Sequence, residues 1–142
     1  MKTSSAFLAG LTLLAALISS CSKSNDGPSR AALLQGTWKS VQTGADNNRN
    51  GSWDASEHET VAAADVLTVI FNADGTGNES ASGLSVPMTW SLQQSDNDLR
   101  IIDTAGGKPD TTNLNIVTLN GTDAVMKNQA TSPASYTALK KQ

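Results

Sequence analysis

Between residues 86 and 93, Val86, Met88, Trp90 and Leu92 alternate with Pro87, Thr89, Ser91 and Gln93. A strict period of two places every apolar side chain on one face of a strand and every polar one on the other. A helix would scatter the same residues around its axis. A strand with one wet face belongs to an antiparallel sheet, because parallel strands are buried on both sides. Pro87 cannot donate to a ladder, so it must lie near the strand start or on an open edge.

Shorter segments repeat this theme at 36–42, 66–71, 76–80, 99–103, 114–119, 124–127 and 136–140. Turn residues separate most of them. Asn72-Ala73-Asp74-Gly75 uses Gly75 for a positive φ, residues 95–98 are all Ser, Asp or Asn, and Asn120-Gly121 reads as a hairpin turn. Residues 104–112 contain Gly106, Gly107 and Pro109 and read as a longer loop. About eight short strands with turns between neighbours predict an all-β fold, a small antiparallel up-and-down β-barrel. Two helical pieces are expected: one turn over 30–35, and a short helix over 55–64, rich in Ala and Glu and capped by Asp54.

One stretch carries readable chemistry. In residues 46–57, oxygen-bearing side chains fall at Asp46, Asn48, Asn50 and Asp54, with Gly51 at the sixth position and Glu57 at the twelfth. This is the spacing of an EF-hand-type calcium loop. Alternate positions turn inward and offer oxygens. The sixth bends with positive φ, which is cheap only for glycine. Ser52 would give its backbone carbonyl, Asp54 would act directly or through water, and Glu57 is long enough to reach back. Trp53, at the eighth position, can pack against the domain. Residues 41–45 read as strand and turn, so no helix enters the loop. The expected cofactor is a structural Ca2+, with Asp46, Asn48, Asn50, Ser52, Asp54 and Glu57 as ligands. With three carboxylates and no paired loop, affinity should be on the order of 10⁻⁵ to 10⁻³ M, the range of extracellular modules.

The N-terminus addresses a different question. Residues 6–18 are an apolar run broken only by Gly10 and Thr12, behind the positive Lys2. Spanning a bilayer takes about 20 apolar residues, so this run fits a signal-peptide core. It ends in Leu17-Ile18-Ser19-Ser20-Cys21, which resembles the lipobox of bacterial lipoproteins. The domain reading is a signal peptide over 1–20, a flexible tether over 21–32 containing Gly27-Pro28, and a barrel over 33–142. Acyl chains on Cys21 would anchor the chain to a membrane without spanning it. Cys21 is the single cysteine, so no internal disulfide can form. A net charge of −3 suits neither nucleic acid nor an anionic lipid surface as a non-specific partner.

No catalytic constellation emerges. His58 is the single histidine; it reads as a solvated side chain on the helix after the loop. One histidine and one acylated cysteine are too few for zinc. Asp103-Thr104-Ala105-Gly106 misplaces the glycine of an aspartic-protease signature and has no second copy. Asp96, Asp98 and Asp103 are scattered through turns and a strand. The expectation is no enzyme. Asp103-Thr104-Ala105 and Asp110-Thr111-Thr112 also look like the O-glycosylation sequon of exported Bacteroidetes proteins, with an ordinary turn as the equal alternative at Thr104 and Thr111.

Taken in order, Gly36-Thr37-Trp38, the run from Phe71 to Thr76, Trp90-Ser91-Leu92 and the closing segment from Tyr136 resemble the lipocalin-like lipoproteins of Bacteroidetes. The resemblance implies an eight-stranded antiparallel barrel with Trp38 packed at its closed end. With the lipid site at Cys21, the chain is expected to be a monomer at the cell envelope, lipid-anchored in the outer membrane on the periplasmic face or at the cell surface. Its ligand would be a small hydrophobic molecule, a glycan or a protein; the alternatives are an assembly role with no small ligand and, behind it, an enzyme of an unrecognised kind. An apolar internal pocket would favour a small ligand, and a barrel packed solid would favour protein contact.

Overall fold

The computed structural model describes residues 27–94, 96–104 and 106–142. The signal peptide, Cys21, the tether up to residue 26, Ser95 of the turn at 95–98 and Ala105 of the first sequon lie outside the described residues. A short helix α1 (Arg30–Leu34) leads into nine strands: β1 (Gly36–Ala45), β2 (His58–Thr60), β3 (Thr68–Phe71), β4 (Thr76–Ala81), β5 (Leu84–Gln93), β6 (Asp98–Asp103), β7 (Asp110–Leu119), β8 (Asp123–Asn128) and β9 (Ser135–Lys141). All described pairings are antiparallel.

β3 to β9 follow one another as neighbours, and β1 closes the ring by pairing with both β3 and β9. The result is a closed eight-stranded barrel plus one extra strand. That extra strand, β2, lies end to end with β3 along the same edge of β1: β3 pairs with residues 36–39 and β2 with residues 42–44. At the changeover, Ser40 Oγ accepts the Leu67 N–H at 2.9 Å. Pro87 sits one residue past the end of the β5–β6 ladder, which stops at Met88 opposite Asp103. Its missing N–H therefore costs that ladder nothing.

The helix expected over 55–64 is absent in that form. Residues Ala55–Glu57 make one 3-10 turn, His58–Thr60 are strand, and Ala63–Asp65 make another 3-10 turn. Among the described residues the one α-helix, α1, precedes the barrel and plugs an end of it. Ser29 caps it by accepting the Ala32 N–H. Leu34 and Trp38 are fully buried, and the Trp38 Nε1–H donates to the Leu34 carbonyl at 2.6 Å. Lys141 Nζ donates to the Leu33 carbonyl at 2.9 Å and stands 5.2 Å over the Trp38 ring. Trp38 thus closes this end, as its resemblance implied. Val69, Phe71, Met88, Trp90, Leu99, Ile101, Ile116, Met126 and Leu139 fill the interior.

One irregularity decides where the loop goes. The β1–β9 register slips between Ser40 and Gln42, leaving Val41 as an extra residue. A bulge of one residue exchanges the two faces of a strand. Before it, Trp38 and Ser40 point inward. After it, Gly44 is paired with Tyr136 and His58, on the outer face.

Candidate metal centre

β1 ends at Ala45, and the Asp46 N–H prolongs the β1–β9 ladder by donating to the Ala134 carbonyl at 2.8 Å. The chain then folds back over the outer face of β1 and β9. Gly51 takes φ +79°, the bend expected of the sixth position. Its N–H donates to Asp46 Oδ2 at 3.0 Å across the loop. The Asn50 N–H donates to Asn48 Oδ1 at 2.9 Å, and the Ser52 N–H to Asn50 Oδ1 at 2.7 Å. Alternate side chains therefore turn into the loop, Asn48 and Asn50 each accepting the N–H two residues on and Asp46 the one five residues on.

The far end of the loop closes on the near end. Glu57 Oε1 accepts the Asn48 N–H at 3.1 Å. Asp54 Oδ2 accepts from the Asn48 and Asn50 carboxamides at 2.9 and 2.6 Å. Those two bonds, Asn48 first, hold the Asp54 carboxyl below its ordinary range, with the nearby His58 adding a small push in the same direction and burial opposing. Asp54 makes no capping bond to the 3-10 turn that follows.

Two acceptors remain without a partner. Asp46 is only 5% exposed, and its Oδ1 is buried and accepts no hydrogen bond. Glu57 Oε2 is likewise buried and unpaired. A buried carboxylate oxygen with no donor is costly. These are the first and twelfth positions of the loop, and a hard cation is the kind of group that satisfies such oxygens. The remaining candidates are the Asp54 carboxylate, two carboxamides and a backbone carbonyl. Among the described residues no group of three or more His, Cys, Asp or Glu side chains is disposed to share one ion. The donor set, if it closes on a metal, is a mixed one, and Asp54 is at present engaged with the two carboxamides.

The loop is bound to the barrel by an aromatic layer that the sequence reading found only in part. Trp53 stacks on His58 with ring centroids 3.6 Å apart and lies 5.2 Å from Tyr136. Tyr136, although on the outer face, is 1% exposed because the loop covers it. His58 departs from the expectation of a solvated helical residue. It is on β2, partly buried beneath Trp53, and its Nε2 has no partner. Gly44 makes the close approach feasible: the Glu57 carbonyl and the Trp53 ring occupy the space a Cβ would take. A glycine inside a strand pattern is the sequence signal for such an approach. From β8, Lys127 Nζ donates to the Gly51 carbonyl at 3.2 Å and stands 3.8 Å from Asp46 Oδ2.

Two concavities among the described residues bear on ligand binding. Inside the barrel, a cavity of about 70 Å³ is lined by Leu67, Val69, Leu99, Leu114, Met126 and Leu139, with Glu79, Asn128 and Thr137 as its polar members. Burial, then the charge of Asp103, raises the Glu79 carboxyl above its ordinary range. A cleft of about 640 Å³ adjoins that cavity at Leu114 and Asn128 and is otherwise lined by Gln93, Gln94, Asp98, Arg100, Asn113, Asn115 and Gln129 among others. Thr104 is exposed, and so is Thr111, which stands on β7 rather than in a loop. Among the described residues no helix is long and apolar enough to cross a membrane.

The barrel is lipocalin-like in fold. A crystal structure of a lipocalin-like protein from Bacteroides uniformis ATCC 8492 matches it with a TM-score of 0.55 at 15% sequence identity, over 78% of this chain and 99% of that one. No protein-family model matches the chain, and no curated protein matches it either.

Proposed function

We propose that this chain is a non-catalytic binding module of the cell envelope, anchored by lipid on Cys21 and clipped by a structural calcium ion in the loop at 46–57. The observation that carries the calcium reading is the Asp46 carboxylate, nine-tenths buried with one oxygen unpaired. Asp46, Asn48, Asn50, Asp54 and Glu57 would hold the ion with side-chain oxygens and Ser52 with its carbonyl. What the ion supplies is charge: it offsets three carboxylates confined to one loop. Binding to the folded state alone stabilises by about 2.7 kcal/mol at 100 times Kd.

The partner engages the outer surface. Pockets for drug-sized ligands run to about 300–1,000 Å³, and the lumen offers about 70 Å³. This filled lumen argues against a small hydrophobic ligand and favours a glycan or a protein. It equally favours the second reading, an assembly role with no small-molecule ligand. The polar cleft is the larger concavity of the two, and its carboxamides can both donate and accept, as hydroxyl-rich glycans require.

Thermal melts with calcium, with EGTA and with magnesium test the clip. Calcium is expected to raise the midpoint and EGTA to reverse it. An unchanged midpoint in all three, with no calorimetric heat, would overturn the calcium reading. Labelling by a palmitate analogue tests the anchor: Cys21→Ala should abolish the label, and a label that survives would refute it.

A further inference from the structure

Among the described contacts Lys127 is the one lysine or arginine outside the loop that bonds to it, and its position has a consequence for any ion bound there. Lys127 lies on β8, opposite Tyr136 in the β8–β9 ladder, and points to the outer face. Its Nζ meets three electron-rich groups: the Gly51 carbonyl at 3.2 Å, Asp46 Oδ2 at 3.8 Å and the Tyr136 ring at 5.1 Å. The ion pair is largely removed from water, with side-chain exposures of 14% for Lys127 and 7% for Asp46. A carboxylate and a backbone carbonyl are also the groups that a hard divalent cation seeks.

The two oxygens of Asp46 are thereby divided. Oδ2 faces the Gly51 N–H and Lys127. Oδ1 is buried with no partner. We propose that Lys127 is a tethered competing cation, which orders the loop when no metal is bound and weakens calcium binding by placing a fixed positive charge beside the first ligand. This rests on the calcium reading above and adds what sets its affinity.

The two effects have opposite signs, which makes the proposal testable. Lys127→Met keeps a side chain of similar length over Tyr136 but removes the charge and the bond to Gly51. Without metal, that variant should melt below the wild type, because Asp46 keeps a buried charge with no counter-ion. With calcium, it should bind more tightly. A unit charge about 6 Å from a divalent one changes affinity by about tenfold even at the dielectric of bulk water, so this partly buried pair should change it by at least that much. Lys127→Arg keeps the charge and should bind like the wild type. Lys127→Gln serves if the methionine variant does not fold.

The measurement is calorimetric titration of the full chain with calcium, beside metal-free melts. Tighter binding by Lys127→Met or Lys127→Gln, with Lys127→Arg unchanged, is the expected result. If the wild type binds calcium and the neutral variants bind it equally or more weakly, the competing-cation proposal fails while the calcium clip stands. If neither the wild type nor the neutral variants bind at millimolar calcium, the calcium reading fails and takes this proposal with it.

Discussion

Gly44→Ala should loosen the loop without touching the lumen. A Cβ at this position would overlap the Glu57 carbonyl oxygen and approach the Trp53 ring at 2.8 Å. Gly44 has no positive φ, so alanine meets no backbone strain. The lost freedom of the unfolded chain would even favour alanine by about 0.4–1 kcal/mol. The clash works the other way. Overpacking costs about 1–3 kcal/mol, and neither neighbour is the loose end of a flexible chain. The Glu57 carbonyl adjoins His58, which pairs with Gly44 itself. Trp53 is held against His58 and Tyr136. The upper part of the range therefore applies, and the net loss should be about 1–2 kcal/mol. With about 2.1 cal/mol/K of unfolding entropy per residue, a domain of this size loses about 4 °C per kcal/mol, so the midpoint should fall by about 4–8 °C. Far-UV circular dichroism reads the midpoint, and near-UV dichroism reads the packing of Trp53. Gly121→Ala is the control, because a Cβ there meets nothing within 4 Å. A Gly44→Ala protein melting at or above the wild type would refute this account of how the loop is seated.

Three further outcomes follow from the barrel. Trp38→Phe leaves the buried Leu34 carbonyl without its 2.6 Å donor, which should destabilise by about 1–3 kcal/mol in a denaturant titration. Asn120→Ala removes the oxygen that accepts from the Thr122 and Asp123 N–H groups at 2.8 Å each; it should cost about 1 kcal/mol by the same titration, with the slope unchanged. Glu79→Gln should change the pH dependence of stability. The carboxyl is raised by burial first and by Asp103 second, so the folded state binds its proton more tightly than the unfolded state. The stability from that proton is present at low pH and is lost as pH rises through the raised value. Glutamine abolishes this slope, so the variant should gain on the wild type between about pH 4 and about pH 7 in paired melts; an equal difference at both would refute it.

What the sequence made legible was the sheet. The alternation from Val86 to Leu92 and the turns at Gly75 and Asn120 locate strands that the structure bears out. The Asn120 turn works differently from a hairpin pair of positive-φ residues: neither Asn120 nor Gly121 has positive φ, and the Asn120 side chain organises the backbone. The helix over 55–64 failed because local propensity is a weak term. The free edge of β1 at Gln42–Gly44 offered ladder bonds to His58–Thr60, and the absent Cβ of Gly44 let that segment come close. Thr111 and Thr112 were hidden by the glycines before them; their strand begins at Asp110 because β6 extends to Asp103 opposite. Lys127 was not legible at all. It meets Gly51 across 76 residues of sequence, and no local pattern marks such a contact. The face exchange at Val41 was equally silent, since a bulge shows only in the pairing.

The position of the loop on the barrel determines how an ion there would act. β1 is the strand that closes the ring, and the β1–β9 ladder is the closing seam. Asp46 extends that seam through its bond to Ala134, Trp53 packs against Tyr136 of β9, and Lys127 ties the loop to β8. The loop therefore bridges three strands on the outside, where the barrel is joined first to last. Undocking it would uncover the Tyr136 ring, which is 1% exposed while the loop is seated, and opening the seam would expose the core. Calcium should consequently shift one cooperative transition instead of a separate melting of the loop. Near-UV dichroism of the tryptophans and far-UV dichroism of the strands should give the same midpoint with and without calcium, the two rising together by a few degrees. A tryptophan signal that melts early in EGTA, with the strand signal unmoved, would show that the loop rides on the barrel without holding its seam.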